Sequence, residues 1–270
     1  MRSLKLLFLG VLVISFGCTT EMKLAKNIQK EKHKISVLCD YPDFIFFTNS
    51  LVEIPKGISD KELADFQDSL YMHSSYIRFI DDTLFFKQFK DDMRDQFQSI
   101  GIQYYESDSL KQFLANDGIL YLVNFKQLEI EERWESFHDE EVFDEVLYQE
   151  DFWIKGVSLN AWMDVAKVND TVEIQRQLYQ ESVLKDEVDG MFFQTQWSGE
   201  VNYHYRLDTL KVSDLGELEF RAAEDFSHFI FNYIVNKEIR DRLNYLDEAP
   251  PSYEWIMRPG SRRLIPEEIE

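Results

Sequence analysis

The densest group of ionisable side chains lies between residues 135 and 151. Glu135, Asp139, Glu140, Glu141, Asp144, Glu145, Glu150 and Asp151 crowd there around His138. One histidine with two carboxylates could hold a divalent cation. The spacing is not that of an EF-hand, because no glycine stands where the sharp turn of that loop needs one. The stretch therefore reads as a solvated acidic connection without a metal. Val142, Phe143, Val146 and Leu147 interrupt the acids at helical spacing. Acids that carry apolar anchors suit a surface for a protein partner, or a short helix packed on the domain itself. The candidate partner-binding residues are Asp139, Glu140, Glu141, Phe143, Asp144 and Glu145.

The other reactive residue types are isolated. Cys39 sits in Val37-Leu38-Cys39 and reads as a buried small apolar residue, since a working thiol needs a base beside it. His204 lies between two tyrosines at the end of an alternating strand and reads as a satisfied ring. Ser158 lacks the second glycine of a nucleophile elbow and falls in mid-strand. The sequence contains no Walker loop, dinucleotide glycine pattern or HExxH. With 10 glycines in 270 residues, loops that cradle phosphate by backbone alone are not expected. The chain reads as non-enzymatic, with no cofactor.

Elements that would position these residues follow from periodicity. Residues 35–38 and 44–47 read as short strands split by Asp40-Tyr41-Pro42. Ser59 and Glu62 form a capping box for a helix to about Met72. A second helix runs from a cap at Asp82 to Gly101, with Phe86, Phe89, Met93, Phe97 and Ile100 as its apolar stripe. A strand at 102–105, a short helix at 107–116 and a long strand at 119–134 follow. Leu128 and Ile130 alternate with Glu129 and Glu131 in that strand, so one face of the sheet should be wet. Its antiparallel partner is 152–168, where Val157, Leu159, Ala161, Met163 and Val165 alternate. Strands at 172–184, after an Asn169-Asp170 turn, and at 191–197 with 201–205 complete the sheet. A last helix from Asp214 to about Val235 presents Ala222, Ala223, Phe226, Phe229, Ile230 and Tyr233. The fold class expected is α+β: a mixed or antiparallel sheet with long hairpin strands, covered on one face by helices.

Composition bounds the rest. Hydrophobic residues at 44% and aromatics at 15% suffice for a packed core. The net charge of −21 disfavours nucleic acid and anionic surfaces as partners of the body. The chain begins MRSLKLLFLGVLVISFGC: Arg2 and Lys5, an apolar run over 6–16, then Ile14-Ser15-Phe16-Gly17-Cys18. The run has the length of a signal-peptide core and is short for a membrane span. Its end resembles the lipobox of bacterial lipoproteins, with Ser15 where the consensus has an aliphatic residue. That resemblance implies cleavage before Cys18, thioether lipidation of Cys18 and an N-acyl chain of the palmitate type. The organisation expected is a signal peptide at 1–17, a lipidated Cys18 with a polar tether at 18–33, one domain at 34–245 and an irregular tail at 246–270. The membrane is then a partner through acylated Cys18. A single acid after the cysteine, Glu21, points to an outer-membrane lipoprotein on the periplasmic face, because surface-exported lipoproteins of Bacteroidota type carry an acidic cluster there.

The order of elements also resembles the α/β domains of envelope lipoproteins of the CsgG, TolB amino-terminal and LptE kinds. The resemblance rests on Phe97-Gln98-Ser99-Ile100-Gly101-Ile102, on Asp117-Gly118 leading into a long strand, and on the closing Ala222-Ala223 helix. The segment Trp255-Ile256-Met257-Arg258-Pro259-Gly260-Ser261-Arg262-Arg263-Leu264 is similar to one in Bacteroidota lipoproteins, where it leads into helical repeats absent here. The resemblance covers about 34–236 and implies an accessory or docking subunit of an envelope assembly or transport machine, with an envelope protein as partner. The alternative reading is a periplasmic ligand-binding or hydrolytic lipoprotein using acids of the 129–151 region.

Overall fold

The structure is a computed structural model that describes residues 20–52, 59–168, 176–243 and 253–268. Cys18, its leader and the Asn169-Asp170 turn lie outside the described residues. Among those described, no helix is long and apolar enough to cross a membrane.

A six-stranded mixed sheet forms the centre. Its order is β3 (Gln103–Glu106), β1 (Ile35–Asp40), β4 (Ile119–Phe143), β5 (Val146–Lys167) and β6 (Arg176–Lys185). Strand β2 (Phe46–Asn49) pairs with β4 farther along the edge that β1 occupies first. β1, β2 and β3 run parallel to their neighbours, and β4, β5 and β6 are antiparallel. The fold is the expected α+β one. β1 is buried at five successive residues, as suits an interior parallel strand.

Two helices cover one face. α3 (Asp82–Ile100) is capped by Asp81, whose carboxylate accepts from the Leu84 N–H at 3.0 Å, one residue earlier than the sequence suggests. It ends at Gly101, which takes φ 92°, a left-handed conformation that glycine adopts without a Cβ clash. Its buried stripe uses Phe85 with Phe89, Met93, Phe97 and Ile100, and Phe86 is only half-buried against Tyr41. α5 (Leu218–Leu243) is preceded by a 3₁₀ turn, Val212–Glu217, in which Asp214 accepts from the Lys211 N–H at 2.9 Å. Its buried set reaches well beyond the expected stripe and includes Phe231, Ile234, Val235 and Ile239. α5 is therefore enclosed on more than one side: the sheet, α3 and the C-terminal segment all touch it. Phe89 of α3 meets Phe226 of α5 edge-to-face at 5.9 Å and Phe125 of β4 at 6.4 Å. α2 (Asp60–His73) carries the Ser59–Glu62 capping box, and α4 (Leu110–Leu114) follows a 3₁₀ turn.

Both chain ends differ from the expectation. The expected polar tether is helical over 20–31 (α1), with Ala25 and Ile28 each 1% exposed in the core. Two apolar residues three apart suffice to seat one face of a helix among lysines. The expected irregular tail forms a hairpin, β9 (Tyr253–Ile256) with β10 (Ile265–Glu268). Trp255 and Met257 are buried, and the amides of Asn236 and Asn232 on α5 clip the backbone at residues 255 and 257. The strands expected at 191–197 and 201–205 are β7 (Glu187–Gln194) and β8 (Val201–Asp208). They pair with each other as a separate ribbon instead of extending the main sheet.

Several carboxylates are taken inside, and Glu132 and Glu238 show how they are partnered. Glu132, fully buried on the helix-covered face of β4, accepts from the backbone N–H of Ser75 and Tyr76 at 2.9 and 3.0 Å. Glu238 of α5 pairs with Lys167 at 2.5 Å and accepts from the Tyr121 hydroxyl at 2.9 Å. Each satisfies the rule that a buried carboxylate keeps its donors.

Because Phe89 and Phe226 share one contact, Phe89→Ala and Phe226→Ala should each cost about 3–5 kcal/mol and the pair less than the sum. Chemical denaturation of the three variants tests this, and unchanged midpoints would place the rings outside the core.

Candidate functional site

Pairing shows where the sheet ends. β2 leaves β4 at Asn49 opposite Glu132, and β6 leaves β5 at Lys185 opposite Gly156. Beyond those points β4 and β5 pair only with each other within the main sheet, from Trp134 opposite Lys155 to Phe143 opposite Val146. The ten residues 134–143 span about 33 Å at the usual rise of a strand. The two strands form an arm.

This corrects the expected connection over 136–151. It is a continuous antiparallel ladder closed by a two-residue turn at Asp144 and Glu145, with φ of 50° and 67°. Positive φ at both central residues is the geometry that matches strand twist in a tight hairpin. Val142 stands opposite Leu147 and Phe143 opposite Val146, so the apolar spacing that suggests a helix is that of a hairpin end.

Alternation divides the arm into two faces. One carries Glu135, Phe137, Asp139, Glu141 and Phe143 of β4 with Tyr148, Glu150, Phe152 and Ile154 of β5. The β7–β8 ribbon lies over it. Tyr205 packs on Phe152 at 5.0 Å, Phe152 on Phe137 at 4.8 Å, and the Tyr203 hydroxyl donates to Asp139 at 3.0 Å. Burial, and then that bond to Asp139, push the Tyr203 phenol up to about 12. Gly190 permits the arrangement: a Cβ there would come within 1.8 Å of the Tyr203 hydroxyl oxygen. The Gln194 amide reaches Asp144 at 3.3 Å.

The second face has no cover among the described residues. Trp153 is 67% exposed, Val142 62%, Leu147 51% and Trp134 44%. Between these two apolar pairs lie His138, Glu140, Gln149 and Asp151. His138 Nδ1 is 2.7 Å from Asp151 Oδ1, and its Nε2 is 3.4 Å from Glu140 Oε2. The hydrogen bond to Asp151, followed by that to Glu140, raises the histidine above its ordinary 6.5. At the root of the arm, Lys155 lies 5.9 Å from the Trp134 ring.

The sequence-based candidates therefore separate. Asp139 is spent on Tyr203 and lies with Glu141 and Phe143 on the ribbon side. Asp144 and Glu145 form the tip, and Glu140 stands on the open face. Trp134, Trp153 and Asp151, which dominate that face, were not among the candidates. A strand reading continued through 134–155, in which alternate residues share a face, is the sequence signal that groups them. Among the described residues, no group of three or more histidine, cysteine or carboxylate side chains is placed to hold a metal.

Nearer the sheet centre, on the face away from α3 and α5, one guanidinium gathers the remaining acids. Arg133 meets Glu135 at 2.5 Å, Glu181 at 2.9 Å and Glu131 at 3.4 Å. Asn160 donates to Glu131, and Tyr179 to Asn160. Glu129 takes a hydrogen bond from Thr48. Cys39 is fully buried, and burial raises its thiol far above the ordinary range. Ser158 is fully buried in mid-strand, its hydroxyl without a partner among the described residues. His204 is exposed and packs on Phe193 at 4.3 Å.

The chain matches no family model and no curated protein.

A raised histidine gives a signed pH dependence. The His138 ion pair is complete below the unfolded pKa and is lost as pH rises through the higher folded value. Proton-detected titration of the ring should place its midpoint above 6.5 in the wild type and lower in Asp151→Asn. Equal midpoints in the two proteins would contradict the pairing.

Proposed function

We propose that the chain is a membrane-tethered, non-enzymatic docking subunit, lipidated at Cys18, that binds an envelope protein through the open face of its β4–β5 arm. The observation that carries this reading is the arm itself: two strands that leave the sheet with one face covered and the other presenting Trp134, Trp153, Val142 and Leu147 to solvent. Isolated two-stranded hairpins are marginal in water, so the β7–β8 ribbon has a clear physical role as backing for the arm. Exposed tryptophans are the residue type that most often anchors a protein-binding patch, and here they stand at the root of the face with Val142 and Leu147 at its tip and charged residues between.

Charge selects the partner. The arm over 136–152 contains seven acids and neither lysine nor arginine. A basic surface flanked by apolar contacts complements it, and the acids would speed encounter more than they would tighten the complex. The outer membrane, facing the periplasm, is the compartment that the leader and the resemblance to envelope lipoproteins support.

Ligand binding or hydrolysis by acids of the 129–151 region is the less favoured reading. Glu131 and Glu135 are held by Arg133, Asp139 by Tyr203 and Asp151 by His138.

Affinity recovery from detergent-solubilised membranes, with Cys18→Ala as a control for anchoring, tests the proposal. Trp153→Ala should cut recovery of a stoichiometric partner by about thirtyfold if it is a hot spot. Neutralising Glu140, Glu141, Asp144 and Glu145 together should slow association, chiefly at low salt, and leave thermal stability nearly unchanged because the charges are exposed. Full recovery by both arm variants would contradict docking through this face. Normal processing and membrane retention of Cys18→Ala would contradict lipidation.

A further inference from the structure

A second feature lies near the other end of β4. Between α1 and the β9–β10 hairpin is a cavity of about 650 Å3. Lys26, Lys30 and Lys32 of the first segment and Arg262 and Arg263 of the hairpin line it, and no acidic residue does. In a chain of net charge −21 this is a marked local reversal of sign. None of the five cations has a carboxylate within ion-pair distance among the described residues, whereas Lys34 and Arg258, close by in sequence, pair with Glu31 and Glu267. Burial, and then the nearby Arg262 charge, lower the pKa of Lys32.

An independent observation concerns Trp255. Trp255 lines the same cavity and is 4% exposed, and its indole nitrogen is buried with no hydrogen-bond partner among the described residues. Indole N–H can only donate, so an acceptor would satisfy it. The walls are held in place by the hydrogen bond from Gln29 on α1 to the Arg262 carbonyl and by the clip of Asn236 on Trp255.

We propose that this cavity binds a phosphate group. Guanidinium forks and ammonium groups around one space match a tetrahedral anion with several acceptor oxygens, and the unpartnered indole N–H of Trp255 is a donor at its wall. Met22, Leu264 and Pro266 provide an apolar wall for a glycerol or other ester substituent. Two sources supply such a group: the headgroup of an anionic phospholipid, and a phosphate ester in solution. Lys26 follows Cys18 by eight residues, a separation of about 12 Å if helical throughout and of at most about 29 Å if extended. Lysine and arginine so placed meet phospholipid headgroups if Cys18 is acylated. The phosphate site itself rests on neither the lipid nor the arm.

The test uses the full chain in an uncharged detergent, at matched chloride concentration, with thermal unfolding as the readout, since a ligand that binds the folded state raises the midpoint saturably. The probes are inorganic phosphate, micelles containing phosphatidylglycerol and micelles containing phosphatidylcholine. Phosphatidylglycerol should raise the midpoint with saturation, and phosphatidylcholine should not. Lys30→Gln with Arg262→Gln, both exposed residues, should keep the unliganded midpoint and need at least tenfold more probe. Trp255→Phe keeps the ring, removes the donor and should weaken binding several-fold. Saturation by inorganic phosphate with no added effect of phosphatidylglycerol supports the site with a soluble phosphate ester as its occupant. No saturable shift with either probe, an equal shift with phosphatidylcholine, or an unchanged response in the double variant overturns it.

Discussion

The ladder between β4 and β5 runs from Tyr121 opposite Lys167 to Phe143 opposite Val146, and the rest of the main sheet is built outward from it. β1 pairs along its first residues and β2 farther on, while β6 borders the inner half of β5. α3 and α5 close over Phe125, Leu128, Ile130, Leu159 and Met163, the apolar side of the same ladder. Where these neighbours stop, the two strands continue. The arm is thus the part of a core element that outruns its core: the β7–β8 ribbon backs the face away from α3 and α5, and the face that those helices cover nearer the centre is left open.

The sequence was legible where burial is one-sided and sustained. The alternation at 157–165 and the helix stripes at Phe89 and Phe226 reflect a large apolar face, which leaves a clear period. It was ambiguous where two periods coincide. Val142, Phe143, Val146 and Leu147 fit one face of a helix, and they fit equally two facing pairs across a two-residue turn. The turn lacks the usual glycine or asparagine, because Asp144 and Glu145 adopt positive φ themselves. It was silent where a segment is fixed by few contacts. Ala25 and Ile28 in a lysine-rich stretch, or Trp255 and Met257 in a charged tail, give too short a pattern to outweigh the polar residues around them. At the candidate site, the acids drew attention while the open-face tryptophans decide its character. A strand reading across 136–151 would have sorted Asp139 from Glu140 at once, because successive residues face opposite ways.

Charge is distributed along this frame. The acids of the arm gather at the far end of β4, and the cationic cavity lies near its start, where α1 and the C-terminal hairpin meet. Fully extended, the 25 residues of β4 would separate the two by roughly 80 Å. If Cys18 is acylated as proposed, a basic end near that anchor and an acidic far end would favour one orientation on an anionic membrane. The same arrangement would present the open face of the arm at a distance from the membrane.

That account depends on the arm being a preformed two-stranded element and not a solvated connection. Amide hydrogen exchange across 134–155 in the full chain measures this directly. A ladder paired to its tip should protect alternate amides, with a period of two residues continuing to Phe143 and Val146. Uniformly fast exchange through 136–151, with protection beginning only at the sheet, would contradict it.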